Sequence, residues 1–232
     1  MADRGVPGVP VVVLASGSPR RAAILRRLGI EPDIRPTDVD ETAGSGESAS
    51  ELVERLATAK LTACSRTPLP SSEPALIIAA DTVVEVGGSI LGKPEGKADA
   101  ERMLALLSGR RHRVITGLAV GSVDPTDGRS GLRQVSARET TYVSFRSLDR
   151  GLIDWYLGTG EAFDKAGAYA IQGRGALLVD RVEGSYLNVV GLPVVALDTL
   201  CRRLGWPLHR FADVGDGVDA AVPAEAEAGI GA

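Results

Sequence analysis

The chain has 232 residues, of which 44% are apolar, 24% charged and 4% aromatic, a composition that fits one globular α/β domain. The net charge of −4 excludes a broadly basic DNA-binding protein, and five acidic residues fall in the stretch 212–232, which leaves the remainder at +1. No apolar run is long enough to span a bilayer and no leader pattern opens the chain, so we expect a cytoplasmic protein without nucleic acid or membrane partners. Cys64 and Cys201 lack metal-ligand spacing and predict buried, reduced thiols.

The first predicted elements are a buried strand, Val11 to Leu14, and a helix that follows it through the tripeptide 17–19, Gly-Ser-Pro. Glycine permits close backbone approach, serine can cap a helix, and proline fits the first helical position. Arg20 and Arg21 then oppose the positive end of the helix dipole unless an anion lies between them. We interpret this junction as a phosphate-binding site; the alternative is a capped helix with two solvated arginines.

Further elements follow from apolar periodicity and turn residues. In chain order they are a short strand after Gly29, a helix from Ser48 or Ser50 to Ser65, a strand from Ala75 to Val86, a turn at Gly87 and Gly88 into SILGKP, a helix over 98–107, strands over 113–123 and 135–145, a helix within 148–160, a strand within 175–184, an extended link over 185–191 and a helix within 192–205. The strands both cross over through helices and form a hairpin, so we expect a mixed β-sheet flanked by helices. We expect one domain over 9–210, with two merged lobes around a cleft, and a disordered acidic tail over 211–232.

Four residues outside the first junction suggest chemistry. Asp81 follows the apolar run ALIIAA, where a carboxylate would be costly in mid-core and is typical of a metal ligand or base. Alone, it would be interpreted as an exposed strand-end residue. Glu41 lies in an acidic loop, Lys60 lies on the preceding helix and Lys93 lies in GKP. With the two arginines they supply four cations and two carboxylates, the set that a triphosphate and a divalent metal require.

The segments LASGSPRR, AADTVV, GKP, LSGRRHRVITG, DKAGAYAIQGRG and NVVGLP span Leu14 to Pro193. In these segments and their order the chain resembles the Maf family of nucleoside triphosphate pyrophosphatases, the septum-formation-inhibitor proteins. The resemblance implies hydrolysis between the α- and β-phosphates to a monophosphate and pyrophosphate, with Mg²⁺ or Mn²⁺ as cofactor. It also implies an elongated α/β fold with a substrate cleft beside the sheet, similar to that of inosine triphosphatases, and in many members a homodimer.

The resemblance also assigns site residues. It places Asp81 at the family's proton acceptor, and it places in the phosphate and metal region Ser16, Arg20, Arg21, Glu41, Lys60 and Lys93. We expect Glu41 and Asp81 to hold the metal and orient a water, while the lysines and Arg21 neutralise phosphate charge. Whether Asp81 is the base or a metal ligand stays open, because a carboxylate among cations is a weak base. Asp164 and Lys165 are assigned to substrate binding, with a solvated structural pair as the alternative.

Three positions bear on the choice of base. Arg20, Thr82 and Gln172 match the branch of the family that resembles dTTP/UTP pyrophosphatases, whereas the 7-methyl-GTP branch has tryptophan after Ser-Pro. A carboxamide presents a donor and an acceptor side by side, as N3 and O4 of uracil and thymine do. We therefore expect strong discrimination of U against C and weak discrimination of U against T, with modified pyrimidine nucleotides as further candidate substrates.

A second interpretation is a non-catalytic, nucleotide-sensing regulator of septation that keeps the cleft and acts through a partner. The presence of Asp81 and Lys93 favours the enzyme, because a pure binder would not need them. His112 and His209 have no neighbouring serine and aspartate in a triad pattern, and we expect both to be incidental.

Overall fold

A computed structural model describes residues 9–68, 74–123 and 131–212 of the protein. Within these residues seven strands form one sheet: β1 (Val11–Leu14), β2 (Asp33–Ile34), β3 (Ala75–Val86), β4 (Ser89–Leu91), β5 (Arg111–Val123), β6 (Arg133–Phe145) and β7 (Val179–Glu183). The α-helices of the same residues are α1 (Pro19–Arg27), α2 (Ala49–Ser65), α3 (Lys97–Leu107), α4 (Arg150–Gly158), α5 (Tyr186–Val190) and α6 (Val194–Arg203). Short 3₁₀ turns lie at Ala166–Ala168, Gly173–Leu178 and Leu208–Arg210.

The strands follow the order β2-β1-β3-β5-β6-β7, and β4 pairs with the far end of β3. β1 is parallel to β2 and β3, and the remaining pairs are antiparallel. The predicted mixed α/β sheet and the β5–β6 hairpin are therefore confirmed. A turn-rich loop is predicted between these two strands near Asp124 to Gly131, and all of it except Gly131 lies outside the described residues.

Helices cover both faces of the sheet. On one face, α2 packs against alternate side chains of β3, such as Ile77 and Ala79, and on the other face α1 and α6 pack against Leu76 and Ile78. The helices α3 and α4 cover the far end of β3 around Val84. Because the side chains of a strand point alternately to the two faces of the sheet, consecutive residues of β3 contact different helices.

Of the two serines predicted to cap α2, Ser48 does so. Its hydroxyl accepts a hydrogen bond from the Glu51 backbone N–H at 3.3 Å, and the Glu51 carboxylate accepts one from the Ser48 N–H at 2.9 Å. This reciprocal capping box fixes where the helix begins.

The prediction of an extended link over 185–191 is wrong, because α5 occupies most of it. The Ser185 hydroxyl accepts a hydrogen bond from the Asn188 N–H at 3.2 Å and caps the helix. Gly191 ends the helix with a left-handed φ of 117°, which other residues rarely adopt. The adjacent valines Val189 and Val190 suggested a strand, but the cap and the terminal glycine outweigh this weak preference. Similarly, the first part of the strand predicted within 175–184 is a 3₁₀ turn.

Helix α2 approaches the sheet closely at Gly117 of β5, which pairs with Asp81 of β3. A Cβ atom at Gly117 would lie 2.1 Å from the carbonyl oxygen of Val53 in α2. That distance is far below van der Waals contact, and the obstructing atom belongs to the helix backbone. The absence of a side chain at this position therefore sets the depth at which α2 rests on the sheet.

We expect Gly117→Ala to lower the free energy of unfolding by about 3 kcal/mol, because α2 must move away from β5 to admit the methyl group. Urea unfolding followed by circular dichroism measures the change. Gly158→Ala is the matched control, since a Cβ atom there meets no atom within 4 Å. Equal stabilities of the two variants would contradict the close-approach account.

The carboxy-terminal boundary differs slightly from the prediction. The ring of Phe211, assigned from the sequence to the tail, is 8% exposed and lies 6.3 Å from the ring of Trp206. The free energy gained by burying this large aromatic ring outweighs the polar character of the neighbouring acidic residues. The rest of the predicted tail, 213–232, lies outside the described residues.

Cys64 and Cys201 are buried free thiols, as predicted. Burial raises the pKa of the Cys201 thiol to about 12. Among the helices described here, none combines the length and the apolar character needed to cross a membrane.

Candidate active site

A cavity of about 870 Å³ opens beside the carboxyl end of β1 and the middle of β3. This size is within the range of small-molecule sites. All eleven residues proposed from the sequence for the site line it: Ser16, Arg20, Arg21, Glu41, Lys60, Asp81, Thr82, Lys93, Asp164, Lys165 and Gln172. The fold thus gathers side chains from α1, α2, β3 and the segments that follow β1, β2, β4 and α4 into one cleft.

Asp81 and Thr82 are neighbours on β3 but face opposite sides of the sheet. Asp81 follows the register of Ala79 and Val83 and points towards α2, where it meets Lys60. Thr82 follows the register of Ala80 and Val84 and points towards α1. One strand therefore contributes to two parts of the cavity.

Lys60 bridges the two carboxylates of the site. Its Nζ donates to Asp81 Oδ1 at 2.6 Å and to Glu41 Oε1 at 2.5 Å. Lys60 and Asp81 are both buried, while the side chain of Glu41 is about half exposed. Lys60 reaches Asp81 because α2 lies close to the sheet, and Glu41 reaches Lys60 from the loop between β2 and α2.

Glu41 is held in its ionised form. Burial acts to raise the pKa of its carboxyl group, but the hydrogen bond and charge of Lys60, together with the charges of Lys93 and Arg21, outweigh it and leave the pKa below its ordinary value. The ordinary value already lies well below neutral pH. Glu41 therefore carries a full negative charge at neutral pH.

Arg21 is buried and joins three elements. Its Nε donates to the Gly191 carbonyl oxygen at 2.8 Å, Nη1 to Ser16 Oγ at 2.9 Å and Nη2 to Thr82 Oγ1 at 3.0 Å. All three acceptors are neutral, and among the described residues no carboxylate forms an ion pair with this guanidinium. Burial lowers the pKa of Arg21, an effect that the charges of Asp81 and Glu41 oppose. The interpretation of Arg21 as a solvated arginine is therefore wrong.

The amino end of α1 differs from the prediction in one detail. The Ser18 hydroxyl does not cap the helix; instead the Ser18 backbone N–H donates to Ser16 Oγ at 3.3 Å. The Ser16 hydroxyl also accepts a hydrogen bond from Arg21, so two donors hold it in this orientation. In the first turn of α1, Pro19 has no N–H and the backbone N–H groups of Arg20 and Arg21 have no acceptor within the helix; residues 17–21 line the cavity.

The remaining cations of the site differ in how they are held. Lys93, in the loop after β4, is exposed and makes no hydrogen bond or ion pair with the described residues. Arg20 pairs with Asp164 at 3.0 Å, and the Asp164 side chain is 61% exposed. Exposed pairs of this kind contribute about 0–1 kcal/mol, so a stronger ligand can displace one partner.

Lys165 is turned back into its own loop. Its Nζ donates to the carbonyl oxygen of Glu161 at 2.7 Å and pairs with Asp164. Asp164 and Lys165 therefore form the structural pair that the sequence left open as an alternative, although both residues also line the cavity. Sequence reasoning missed Glu161, whose only signal is its position three residues before Asp164.

The segment 166–172 contributes Ala166 and residues 169–172 to the cavity wall. Ala168 has a left-handed φ of 57°, and the Ala170 N–H donates to the Tyr156 hydroxyl at 3.0 Å. The Gln172 side chain lines the cavity and makes no hydrogen bond with the described residues. Its carboxamide is therefore available to a ligand. Tyr156 gave no functional signal in the sequence, because it resembles any aromatic residue of a buried helix face.

His112 lies in the core behind this wall. It is 2% exposed, its Nε2 lies 2.9 Å from the Tyr169 hydroxyl oxygen, and its ring packs edge-on against Phe145 at 5.0 Å. Burial lowers its pKa to about 4. His112 supports the wall, and its side-chain hydrogen-bond partner within the described part of the chain is Tyr169 and not a nucleophile–carboxylate pair.

We expect the free energy of unfolding to be highest above about pH 6.5 and to fall by about 3 kcal/mol as the pH drops to 4. The unfolded chain binds a proton at His112 near pH 6.5, whereas the folded chain resists it down to about pH 4. Urea unfolding at several pH values measures this slope. His112→Gln should reduce the slope, and His209→Gln, at an exposed position, is the control. Equal slopes in the wild type and His112→Gln would refute the assignment.

The carboxylates fit a hard divalent cation. Within the described residues no group of three or more His, Cys, Asp and Glu could hold a metal alone. Asp81 and Glu41 each use one oxygen on Lys60, and the second oxygen accepts no hydrogen bond from the described residues. Mg²⁺ typically binds through one or two carboxylates and the phosphates of its substrate, so two carboxylates suffice when a polyphosphate supplies the other ligands.

Comparison with known proteins agrees with this arrangement. The family model described as Maf-like protein matches residues 11–204, and the chain belongs to that family. A dTTP/UTP pyrophosphatase of Anaeromyxobacter dehalogenans is 46% identical over 199 residues, covering 86% of this chain and 96% of the relative. A dTTP/UTP pyrophosphatase of Symbiobacterium thermophilum is 45% identical over 198 residues, covering 85% and 95%.

One solved structure is similar over part of the chain. It is a nucleoside-triphosphatase / dITP/XTP pyrophosphatase from Mycobacterium abscessus, 15% identical, covering 57% of this chain and 72% of that chain with a TM-score of 0.26. A TM-score of that size does not by itself establish a common fold.

Proposed function

We propose that the protein is a metal-dependent nucleoside triphosphate pyrophosphatase that hydrolyses dTTP and UTP to the monophosphate and pyrophosphate. One observation carries the proposal: the buried guanidinium of Arg21, which pairs with no carboxylate of the described residues, lines the same cavity as a carboxylate pair bridged by Lys60. A buried cation without a counter-ion is costly unless a ligand supplies the anion. A polyphosphate supplies that charge.

The site residues have separate roles in the hydrolysis. A water attacks phosphorus at the α–β anhydride, the anhydride bond breaks, and pyrophosphate leaves. Arg21 and the free N–H groups at the start of α1 hold the phosphate chain. Lys93, which pairs with none of the residues that the structure describes, and Lys60 stabilise the negative charge that develops on the leaving group.

Asp81 and Glu41 would hold the divalent cation. When bound, Mg²⁺ or Mn²⁺ neutralises phosphate charge and makes a nearby water more acidic. Asp81 is the buried carboxylate of the pair, and its fixed position suits it to orient the attacking water or to accept its proton. Glu41, which lies in a loop, is the more exposed of the two ligands we assign.

The base preference depends on the part of the cavity wall formed by the segment 166–172. Gln172 offers an acceptor and a donor to N3–H and O4 of uracil or thymine. Thr82 acts through Arg21, to which its hydroxyl is bonded, and Arg20 lies at the mouth of the cavity beside Asp164. The two relatives named dTTP/UTP pyrophosphatase support the same preference.

We expect the purified chain with Mg²⁺ or Mn²⁺ to release pyrophosphate and monophosphate from UTP and dTTP with kcat/KM at least about tenfold above that for CTP. Ion chromatography of the products over a panel of purine and pyrimidine triphosphates measures this. Chelation of the metal should abolish release, and added Mn²⁺ should restore it. Release of inorganic phosphate and a diphosphate, or a purine preference, would contradict the proposal.

The alternative of a non-catalytic, nucleotide-sensing regulator is less well supported. It explains the cavity and Arg21 but gives no reason for a carboxylate pair held on a buried ammonium next to an unpaired Lys93. Binding of UTP without any metal-dependent turnover would favour it.

A further inference from the structure

One large apolar side chain on the cavity wall is not used by the proposed chemistry. Phe163 lines the cavity and is 40% exposed, in the turn between α4 and the 3₁₀ turn Ala166–Ala168. Tyr169 also lines the cavity, but it is 5% exposed and bonded to His112, so its ring belongs to the core. Among the described lining residues, Phe163 therefore presents the aromatic ring whose surface is open to a ligand.

The turn that carries Phe163 is tied to the segment that carries Gln172. The Glu161 carboxylate accepts hydrogen bonds from the backbone N–H groups of Arg174 at 3.1 Å and Gly175 at 3.4 Å, two and three residues after Gln172. The Glu161 carbonyl oxygen accepts from Lys165 Nζ at 2.7 Å, which closes the turn on its other side. The phenyl ring and the carboxamide are thus held by one bonded framework on the same wall.

The next residue links this wall to the phosphate side. Asp164 pairs with Arg20 at the start of α1. A nucleotide whose phosphates lie at α1 and whose base reaches Gln172 occupies the same cavity that this ion pair lines. Phe163 directly precedes Asp164 in the chain and lines that cavity as well.

We propose that Phe163 is the base-stacking residue of the site, with its phenyl ring covering one face of the pyrimidine while Gln172 addresses its hydrogen-bonding edge. The proposal rests on the proposed function and adds to it the group that recognises the aromatic face of the base. Stacking of a base on an aromatic ring tolerates any base, so Phe163 supplies affinity and Gln172 supplies the choice. An exposed phenyl ring in a polar cleft also gains apolar contact when a base covers it.

The test compares UTP with 5,6-dihydro-UTP, which keeps the N3 and O4 edge but has a saturated, non-aromatic ring. Phe163→Leu keeps an apolar side chain without the ring, and Phe163→Trp restores a ring. We expect Phe163→Leu to raise KM for UTP by about 5-fold to 100-fold with little change in kcat, and Phe163→Trp to return KM to near the wild-type value. KM for 5,6-dihydro-UTP should change less than threefold in both variants.

Trp155→Leu is the matched control. Trp155 is an exposed aromatic residue of α4, 46% exposed, and it does not line the cavity. This variant should leave KM for both substrates unchanged. Unchanged KM for UTP in Phe163→Leu, or equal increases for UTP and 5,6-dihydro-UTP, would overturn the stacking role.

Direct binding separates this inference from the proposed activity. Calorimetric titration with UMP and 5,6-dihydro-UMP needs no turnover. If Phe163→Leu weakens the binding of UMP but not that of 5,6-dihydro-UMP, the result supports stacking even when the wild type releases no pyrophosphate. Failure of the wild type to release pyrophosphate would refute the proposed activity only. Equal binding of UMP by the wild type and Phe163→Leu would refute stacking while an active enzyme kept the proposed activity intact.

Discussion

Asp81→Asn is expected to lower kcat for UTP by about 10²-fold to 10⁴-fold while KM changes less than threefold. Asparagine keeps the shape and an oxygen for Lys60, so the 2.6 Å contact can persist and the cavity should stay intact. It loses the negative charge needed to accept a proton or hold a divalent cation. Pyrophosphate release at saturating UTP, with calorimetric binding of UMP in parallel, measures both parts.

Asp154→Asn is the control for the loss of a carboxylate. Asp154 lies on the exposed side of α4 and pairs with Arg150 outside the cavity. Turnover near the wild-type value in Asp81→Asn would refute the assigned role of this carboxylate. The dependence of the residual rate on Mn²⁺ concentration separates the two roles left open: a metal ligand requires a half-activating concentration raised by about tenfold, and a base leaves it unchanged.

Arg21→Lys is expected to raise KM for UTP by about 30-fold to 100-fold, because a lysine keeps the charge but cannot reach Ser16, Thr82 and Gly191 together. The phosphate site then loses both its orientation and the link between α1, β3 and α5. Initial rates over a wide range of UTP concentrations measure the effect. Stabilisation by pyrophosphate, followed as a shift in melting temperature, should also disappear.

Arg27→Lys provides the comparison on the same helix, at an exposed position outside the cavity. We expect its KM and its melting shift with pyrophosphate to match those of the wild type. If Arg21→Lys also kept the wild-type KM and the wild-type melting shift with pyrophosphate, Arg21 would be a structural link only. The phosphate site would then have to depend on Lys93 and the start of α1.

Local pattern predicted most of the fold because its signals lie close together in the chain. The strands β3 and β5 follow from long β-branched and apolar runs, and α2 follows from its cap and its apolar spacing. The helix α5 was missed because five residues with two valines carry little helical signal, and Ser185 and Gly191 decided the conformation. Phe211 was missed because its burial depends on Trp206, a contact that composition cannot indicate.

The sequence by itself determined the inventory of the site: the cations, the two carboxylates, the carboxamide and the motifs that carry the family resemblance. Which charges meet was decided only by the tertiary structure. Asp81 and Lys60 are paired because the absence of a side chain at Gly117 lets α2 rest close to β3, and Arg21 is buried on neutral acceptors because three separate elements converge on it. Such distances depend on packing between segments far apart in the chain, and the cost of burying a charge depends on every neighbour at once.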